Sequence, residues 1–277
     1  MESITQKAYA KLNLTLGVLY KRTDGYHALD TLMQSIDLHD TVTCERATDV
    51  LVTASGMLLP YENTLKKAAD RYCALTGKGA HIRVVKRIPA EAGMGGGSAD
   101  AAAVLVGMQR LYGDLGEEQL YDAALSVGAD VPFCLYAQLG GSLARAEGVG
   151  EKLTSLASTP LHFVVVKPKA GVSTRALFSS LKLIRKNPDN TAAMRAISDG
   201  DVAALSGLLY NVLEEPATEL VPEICTLKRR LREAGALGAA MTGSGSGVFG
   251  LFENEPAANT AAEMLSDIAY CRACRSL

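Results

Sequence analysis

Four of the five residues from Gly93 to Gly97 are glycine, and Ser98 follows them. Glycines there let the backbone turn freely and come close to a ligand. Upstream, His81 to Ile88 alternates and reads as a strand. Downstream, Ser98 to Tyr112 reads as a helix with Ala101, Val104, Leu105, Met108 and Leu111 as its apolar stripe. The loop amides would converge with the positive end of that helix, a setting that suits a phosphate. Ser98 could cap the helix or donate to a phosphate or a metal ligand. No Lys-Ser/Thr pair follows the glycines, which excludes a P-loop. The loop is not at the first strand and no acidic residue follows at the expected distance, which argues against a dinucleotide fingerprint. A merely flexible joint would not need so many glycines before so strong a helix.

Two further groups could join such a loop in chemistry. Lys11 and Asn13 share one face of an alternating segment, with Ala8, Ala10, Leu12, Leu14, Leu16 and Val18 on the other. For an isolated strand of this kind the polar face is expected to meet water. In Gly128-Ala129-Asp130-Val131-Pro132-Phe133 a carboxylate precedes a proline and an apolar run; alone this reads as a helix N-cap with proline in the first turn. Together with a phosphate loop, a carboxylate can accept a hydroxyl proton, and a lysine can steady developing charge, as a kinase of an alcohol requires.

These residues need a scaffold. The first segment is a strand with Lys11, Asn13 and Thr15 on its polar side, closed by a turn at Asp24-Gly25. Strands follow at Leu29 to Ser35 and Thr41 to Arg46. Asn63 to Leu75 is a helix, capped by Asn63 and stopped near Gly77. Glu117 to Val127 is another, ending at Gly128. Leu161 to Val166 opens a second half with helices near Ala192 to Ile197, Val202 to Leu213 and Pro222 to Ala234. The uncharged run Ala234 to Phe252 reads as strand-loop-strand, and a last helix lies near Ala257 to Ile268. Strands and helices mix without strict alternation, which favours α+β. The least structured joint, Thr154 to Pro160, is the expected domain boundary.

The chain has 277 residues, 48% of them hydrophobic, 21% charged, with a net charge of -2. That allows one large domain or two of ordinary size, with a sizeable core, and gives no reason to expect nucleic acid or a membrane as partner. Lys228-Arg229-Arg230 reads as a solvated helix face. No apolar leader is expected in Met1 to Lys7, and a cytoplasmic location follows. The one close cysteine pair, Cys271 and Cys274, lacks the second pair a zinc site needs, so reduced structural thiols are expected.

Three separated stretches together resemble the GHMP kinases: Ala10-Lys11-Leu12-Asn13-Leu14 with Asp24-Gly25-Tyr26-His27, the loop Pro89-Ala90-Glu91-Ala92-Gly93-Met94-Gly95-Gly96-Gly97-Ser98-Ala99, and Met241-Thr242-Gly243-Ser244-Gly245-Ser246. The Lys-x-Asn strand, Asp-Gly-Tyr-His, Gly128 to Phe133, and Gly140-Gly141-Ser142 with Gly148-Val149-Gly150-Glu151 narrow the resemblance to one branch. Its acceptor is 4-diphosphocytidyl-2-C-methyl-D-erythritol, phosphorylated on the 2-hydroxyl in the non-mevalonate isoprenoid pathway.

The resemblance implies a two-domain α+β fold. Residues 1–155 would form an N-terminal ATP-binding domain like ribosomal protein S5 domain 2, and residues 156–277 a ferredoxin-like C-terminal domain, with the site between them. It implies ATP and Mg²⁺ and a small-molecule partner, with no nucleic acid or membrane, in a monomer or weak homodimer. Asp130 matches the base and Lys11 its support; Asn13, Tyr26 and His27 match substrate contacts, Tyr26 stacking on the cytosine. Phe178 would be a second aromatic wall. Pro89 to Ala99 would hold ATP, with Thr242 and Gly243 closing the phosphate site; no residue is assigned to a metal.

The sequence departs from the family's pattern twice. Glu91 puts a carboxylate in a phosphate loop and is expected to face solvent. Val212 stands in Asn211-Val212-Leu213-Glu214 where the family has aspartate. The resemblance leaves two rivals, a kinase of another alcohol such as homoserine or mevalonate, and a non-catalytic nucleotide sensor. Tyr26-His27 argues against the first, and the presence of both Lys11 and Asp130 against the second.

Overall fold

The first alternating segment forms one long strand, β1 (Ser3–Lys21), in a computed structural model that describes residues 2–55, 59–60, 62–174, 177 and 187–277. Its apolar residues from Ala8 to Val18 are buried, as alternation predicts. Lys11, Asn13 and Thr15 on the other face are buried too, which corrects the expectation that this face meets water. Alternation shows only that two faces differ in polarity. A polar face can be enclosed where its groups satisfy one another.

The two strands expected between Leu29 and Arg46 are one, β2 (His27–Ala47). Ile36, Leu38, Asp40, Val42 and Cys44 all turn inward, so the period of two never breaks between them.

The chain divides into two units, and β1 and β2 are long enough to contribute to both. One unit comprises Met1–Ala10, Leu38–Ile88 and Gly95–Gly141. Here β4 (Gly79–Val85) pairs antiparallel with Thr41 to Ala47 of β2, and β3 (Val50–Ser55) pairs parallel with β4. Four helices complete it: α1 (Thr64–Thr76), α2 (Gly96–Tyr112), α3 (Glu117–Val127) and α4 (Val131–Gln138).

Helix α1 begins and ends where its sequence says. The Asn63 side chain accepts the Lys66 N–H, and Gly77 closes the helix at φ 71°. Helix α2 carries no single apolar stripe, because every residue from Ala99 to Met108 is buried. Its alanines and Gly107 allow close approach; a Cβ at Gly107 would stand 2.8 Å from the Cys44 sulfur.

The other unit comprises Lys11–Asp37, Pro89–Met94 and Ser142–Leu277. Leu29 to Gln34 of β2 pairs antiparallel with β5 (Leu143–Gly148), which pairs with β6 (Lys152–Leu156). A second sheet has the order β11-β7-β10-β9, formed by β7 (His162–Lys167), β9 (Gly238–Met241), β10 (Val248–Phe252) and β11 (Tyr270–Arg275). All its pairings are antiparallel. With the helices here numbered α8 (Glu223–Glu233) and α9 (Glu255–Met264), the run is β7-α8-β9-β10-α9-β11, the ferredoxin-like order.

Between β7 and α8 lie α5 (Asn190–Ser198), α6 (Val202–Leu208), β8 (Tyr210–Asn211) and α7 (Glu214–Leu220). The single helix expected over Val202 to Leu213 is therefore split. Tyr210 and Asn211 leave it to pair in parallel with Thr15 and Leu16 of β1. Val164, Val166, Leu227, Leu231, Val248, Phe252 and Leu265 centre the core of this unit, and each fully buried side chain of this kind contributes about 1.5–3 kcal/mol. All six cysteines are free thiols, and Cys271 and Cys274, three apart in β11, face opposite sides of the sheet. Among the described residues no helix is long and apolar enough to cross a membrane.

Candidate active site

The buried polar face of β1 is a hydrogen-bonded series. Lys11 Nζ donates to Asn13 Oδ1 at 2.5 Å, and Asn13 Nδ2 donates to the Thr31 hydroxyl at 2.9 Å. Thr31 in turn donates to the Thr15 carbonyl at 2.5 Å. Lys11 is 3% exposed and Asn13 2%, so both heads are fixed with little solvent around them. Their backbones reach the two motifs that sequence set beside them. Lys11 N–H donates to the Met94 carbonyl, and Asn13 N–H donates to the Thr242 hydroxyl, both at 3.0 Å.

Thr242 is fully buried, and its hydroxyl also donates to the Gly93 carbonyl at 3.4 Å. Strand β1, the Pro89 to Met94 half of the glycine loop and the turn after β9 are thus stitched through a few atoms. Their approach leaves no room for side chains: a Cβ on Gly93 would lie 2.0 Å from the Thr242 carbonyl oxygen.

Within the loop, Gly93 at φ 67° and Gly95 at φ 69° take the left-handed conformation that glycine adopts readily. Glu91 takes it as well, at φ 51°, where a side chain costs about 1–3 kcal/mol. It is held there by the Ser246 N–H, which donates to its carbonyl at 3.1 Å. Its side chain is exposed, as expected, and passes against the Gly171 backbone. Burial lowers the pKa of the nearby Lys167, and the Glu91 charge pulls it the other way.

The loop's second half opens α2. Gly95 is the N-cap and no side chain caps the helix, which corrects the capping role considered for Ser98. Ser98 stands in the first turn, partly exposed. Among the described residues no side chain caps the first amides of α2, an arrangement that suits an external acceptor. Thr64, at the start of α1, donates to the Gly97 carbonyl at 2.6 Å and fixes that turn.

Asp130 is the N-cap residue of α4 with Pro132 behind it, yet its carboxylate makes no capping hydrogen bond. Helix α4 packs on α2. Tyr26 and His27 follow the turn at Asp24-Gly25, where Arg22 N–H donates to the Tyr26 carbonyl at 2.8 Å and Tyr26 N–H to Asp24 Oδ1 at 3.0 Å. Tyr26 is 62% exposed, a large aromatic residue offered to solvent. His27 is half-buried, and burial, with the Lys21 charge second, holds its pKa below the ordinary 6.5. Phe178 lies outside the described residues.

Sequence reasoning did not find what holds the turn at Met241 to Ser246. Asn211 Nδ2 donates to the Met241 carbonyl at 2.8 Å and the Gly243 carbonyl at 2.9 Å, and its Oδ1 accepts the Leu213 N–H. Glu214 accepts the Met241 N–H at 2.7 Å and pairs with Lys228. The signal was present as an asparagine and a glutamate flanking two apolar residues. Val212, between them, packs in the core with Leu16 and Val18.

Residues 63–138 match the GHMP kinases N terminal domain and residues 193–270 the GHMP kinases C terminal domain. The chain is 45% identical to a 4-diphosphocytidyl-2-C-methyl-D-erythritol kinase of Acetivibrio thermocellus, over 96% of each chain. It is 41% identical to a protein of the same name from Caldicellulosiruptor saccharolyticus, covering 94% of this chain and 91% of that one. A crystal structure of a 4-(cytidine 5'-diphospho)-2C-methyl-D-erythritol kinase superposes with a TM-score of 0.83 at 36% identity, covering 99% of both chains. A homoserine kinase from Cytophaga hutchinsonii shares the fold, with a TM-score of 0.76 at 19% identity, over 100% of this chain and 95% of that one.

Proposed function

The chain belongs to the GHMP kinases, and we propose that it transfers the γ-phosphoryl group of ATP to the 2-hydroxyl of 4-diphosphocytidyl-2-C-methyl-D-erythritol, giving the 2-phosphate and ADP for isoprenoid precursors. The observation that carries this reading is the buried Lys11–Asn13 pair, whose backbone is tied to the glycine loop at Met94 and to Thr242.

On this reading the loop amides and the first turn of α2 hold the ATP phosphates, with the Ser98 hydroxyl beside them. Asp130 accepts the proton of the 2-hydroxyl as its oxygen bonds the γ-phosphorus and the bond to the β,γ-bridging oxygen breaks. Lys11 steadies the charge on the transferring group. Asn13 orients Lys11 and contacts the acceptor. Tyr26 and His27 take the cytosine by stacking and by its polar edge, with Phe178 a candidate second wall. Gly243, beside the fixed Thr242, lines the phosphate path.

Mg²⁺ commonly takes phosphate and water oxygens with one or two from the protein. Ser98 is the residue that would hold it. When bound, the ion neutralises charge on the β- and γ-phosphates. The domain boundary falls near residue 155 on this reading, and the enzyme works in the cytoplasm as a monomer or weak homodimer.

The test is ADP release by the purified protein with the cytidyl acceptor, with homoserine and with mevalonate. Release is expected with the first alone. Release with another acceptor instead would overturn the substrate, and no release with any would favour a nucleotide sensor.

A further inference from the structure

Beneath the glycine loop, within a single unit, three charged side chains are buried together. Lys86 pairs with Asp40 on one side and with Asp100, at 2.5 Å, on the other. The carboxylates are 0% and 2% exposed and the Lys86 side chain 9%. Asp40 also binds backbone: its Oδ1 accepts the N–H of Arg87 and, at 2.8 Å, that of Ile88. These are the last residues before the loop. Asp100 sits in α2 just after it, and Lys86 Nζ lies 3.6 Å from where a Cβ on Gly96 would stand.

Net stability is a weak account of such a cluster. Buried ion pairs often contribute no more than apolar residues of the same size, because desolvation offsets their attraction. Here the cluster is also imperfectly satisfied. Among the described residues Asp100 Oδ1 has no hydrogen-bond partner, and burial pushes the Asp100 carboxyl well above the usual range against the pull of Lys86. What the cluster does achieve is geometric. It joins the strand that enters the loop to the helix that leaves it, through one hub.

We infer that Asp40, Lys86 and Asp100 form a clamp that fixes the spacing of the loop's two stems and so sets the phosphate cradle for the nucleotide. The inference rests on the reading of the loop as the ATP site. It makes the three side chains positioning residues. A loop whose stems drift apart offers its amides out of register, and misplacement by about 1 Å can cost on the order of 100-fold.

The test measures ATP affinity directly by titration calorimetry, alongside KM for each substrate. Asp100→Ala is expected to weaken ATP binding roughly tenfold or more while KM for the acceptor stays within about twofold. Asp100→Asn, which returns an oxygen to Lys86, should recover most of the loss. Should Asp100→Ala not fold, Asp40→Asn is read in its place. It keeps an oxygen for the Arg87 and Ile88 amides, gives up the charge facing Lys86, and should weaken ATP binding selectively. A lowered melting temperature with unchanged ATP affinity, or an equal loss for both substrates, overturns the clamp. A wild type that binds ATP yet releases no ADP sinks the acceptor reading alone, and the clamp is still decided by affinity. A wild type that binds no ATP overturns both.

Discussion

The Lys11 ammonium meets the side-chain oxygen of Asn13 at 2.5 Å, two residues along one face of β1. The Asn13 amide holds the ammonium in place without adding charge beside it, whereas a carboxylate of the same shape would add one. Asn13→Asp therefore separates orientation from charge. The Thr31 hydroxyl already donates to the Thr15 carbonyl, so a new carboxylate would face it acceptor to acceptor. The variant should fold with a stability loss of about 1–3 kcal/mol and lose roughly tenfold or more in kcat. Chemical denaturation and steady-state ADP release check the two expectations. An unchanged kcat would show that the Lys11 charge takes no part in transfer.

Asp130→Asn should fold and lose most of the activity. The carboxylate stands at the N-cap of α4 without capping it, so an amide in its place leaves the first turn of the helix as it was. A general base removed from a kinase costs about 100- to 10,000-fold in rate. Far-ultraviolet circular dichroism should match the wild type. KM for ATP should also hold, because no part of the loop changes. Turnover near the wild-type value would remove Asp130 from the reaction.

How much of this was legible in the sequence depended on how local the cause was. Asn63 and Gly77 announce the ends of α1 because caps act within one turn. The glycine loop announces itself by composition. The burial of the polar face of β1 is not legible, because the alternation of Lys11, Asn13 and Thr15 with leucines says nothing about what covers it. The answer lies in Thr31 and Thr242, far along the chain. The helix expected over Val202 to Leu213 runs past the observed end of α6 because the apolar run through Leu213 continues a helical pattern. Pairing of Tyr210 and Asn211 with β1 outweighs that local preference. Asp40, Lys86 and Asp100 could not be grouped at all from sequence, since three ordinary surface-type residues become a cluster only when a strand, a strand end and a helix converge.

Gly93→Ala tests the stitching of the loop to the turn after β9. A methyl group there would sit 2.0 Å from the Thr242 carbonyl oxygen, which is backbone and cannot swing aside, and φ 67° is strained for alanine. Asn211 holds the same turn through the Met241 and Gly243 carbonyls, so it cannot yield freely. The expected loss is at least about 2 kcal/mol of stability, with KM for ATP raised in whatever folds. Gly113→Ala is the control. It shares the left-handed conformation at φ 72° and has nothing within 4 Å of the added atom. Its smaller loss isolates strain from collision, and equal losses in the two variants would dismiss the collision.

His27 gives the acceptor site a pH signature with a definite sign. Burial, helped by the Lys21 charge, holds its pKa below 6.5, so the ring is neutral at pH 7 and stays so somewhat further into acid than a free histidine. A neutral imidazole both donates and accepts, which suits the cytosine edge with its amino donor and ring acceptors; the protonated ring only donates. Whatever the neutral ring contributes to binding is fully present above pH 6.5 and is lost as pH falls through the lowered pKa. KM for the cytidyl acceptor should therefore be flat from pH 8 to about 6.5 and rise below that. KM for ATP should not follow the same curve. His27→Gln, with a neutral amide that cannot titrate in this range, should raise the acceptor KM at every pH and remove the acid limb. An acid limb that survives in His27→Gln belongs to another group and takes His27 out of the cytosine contact.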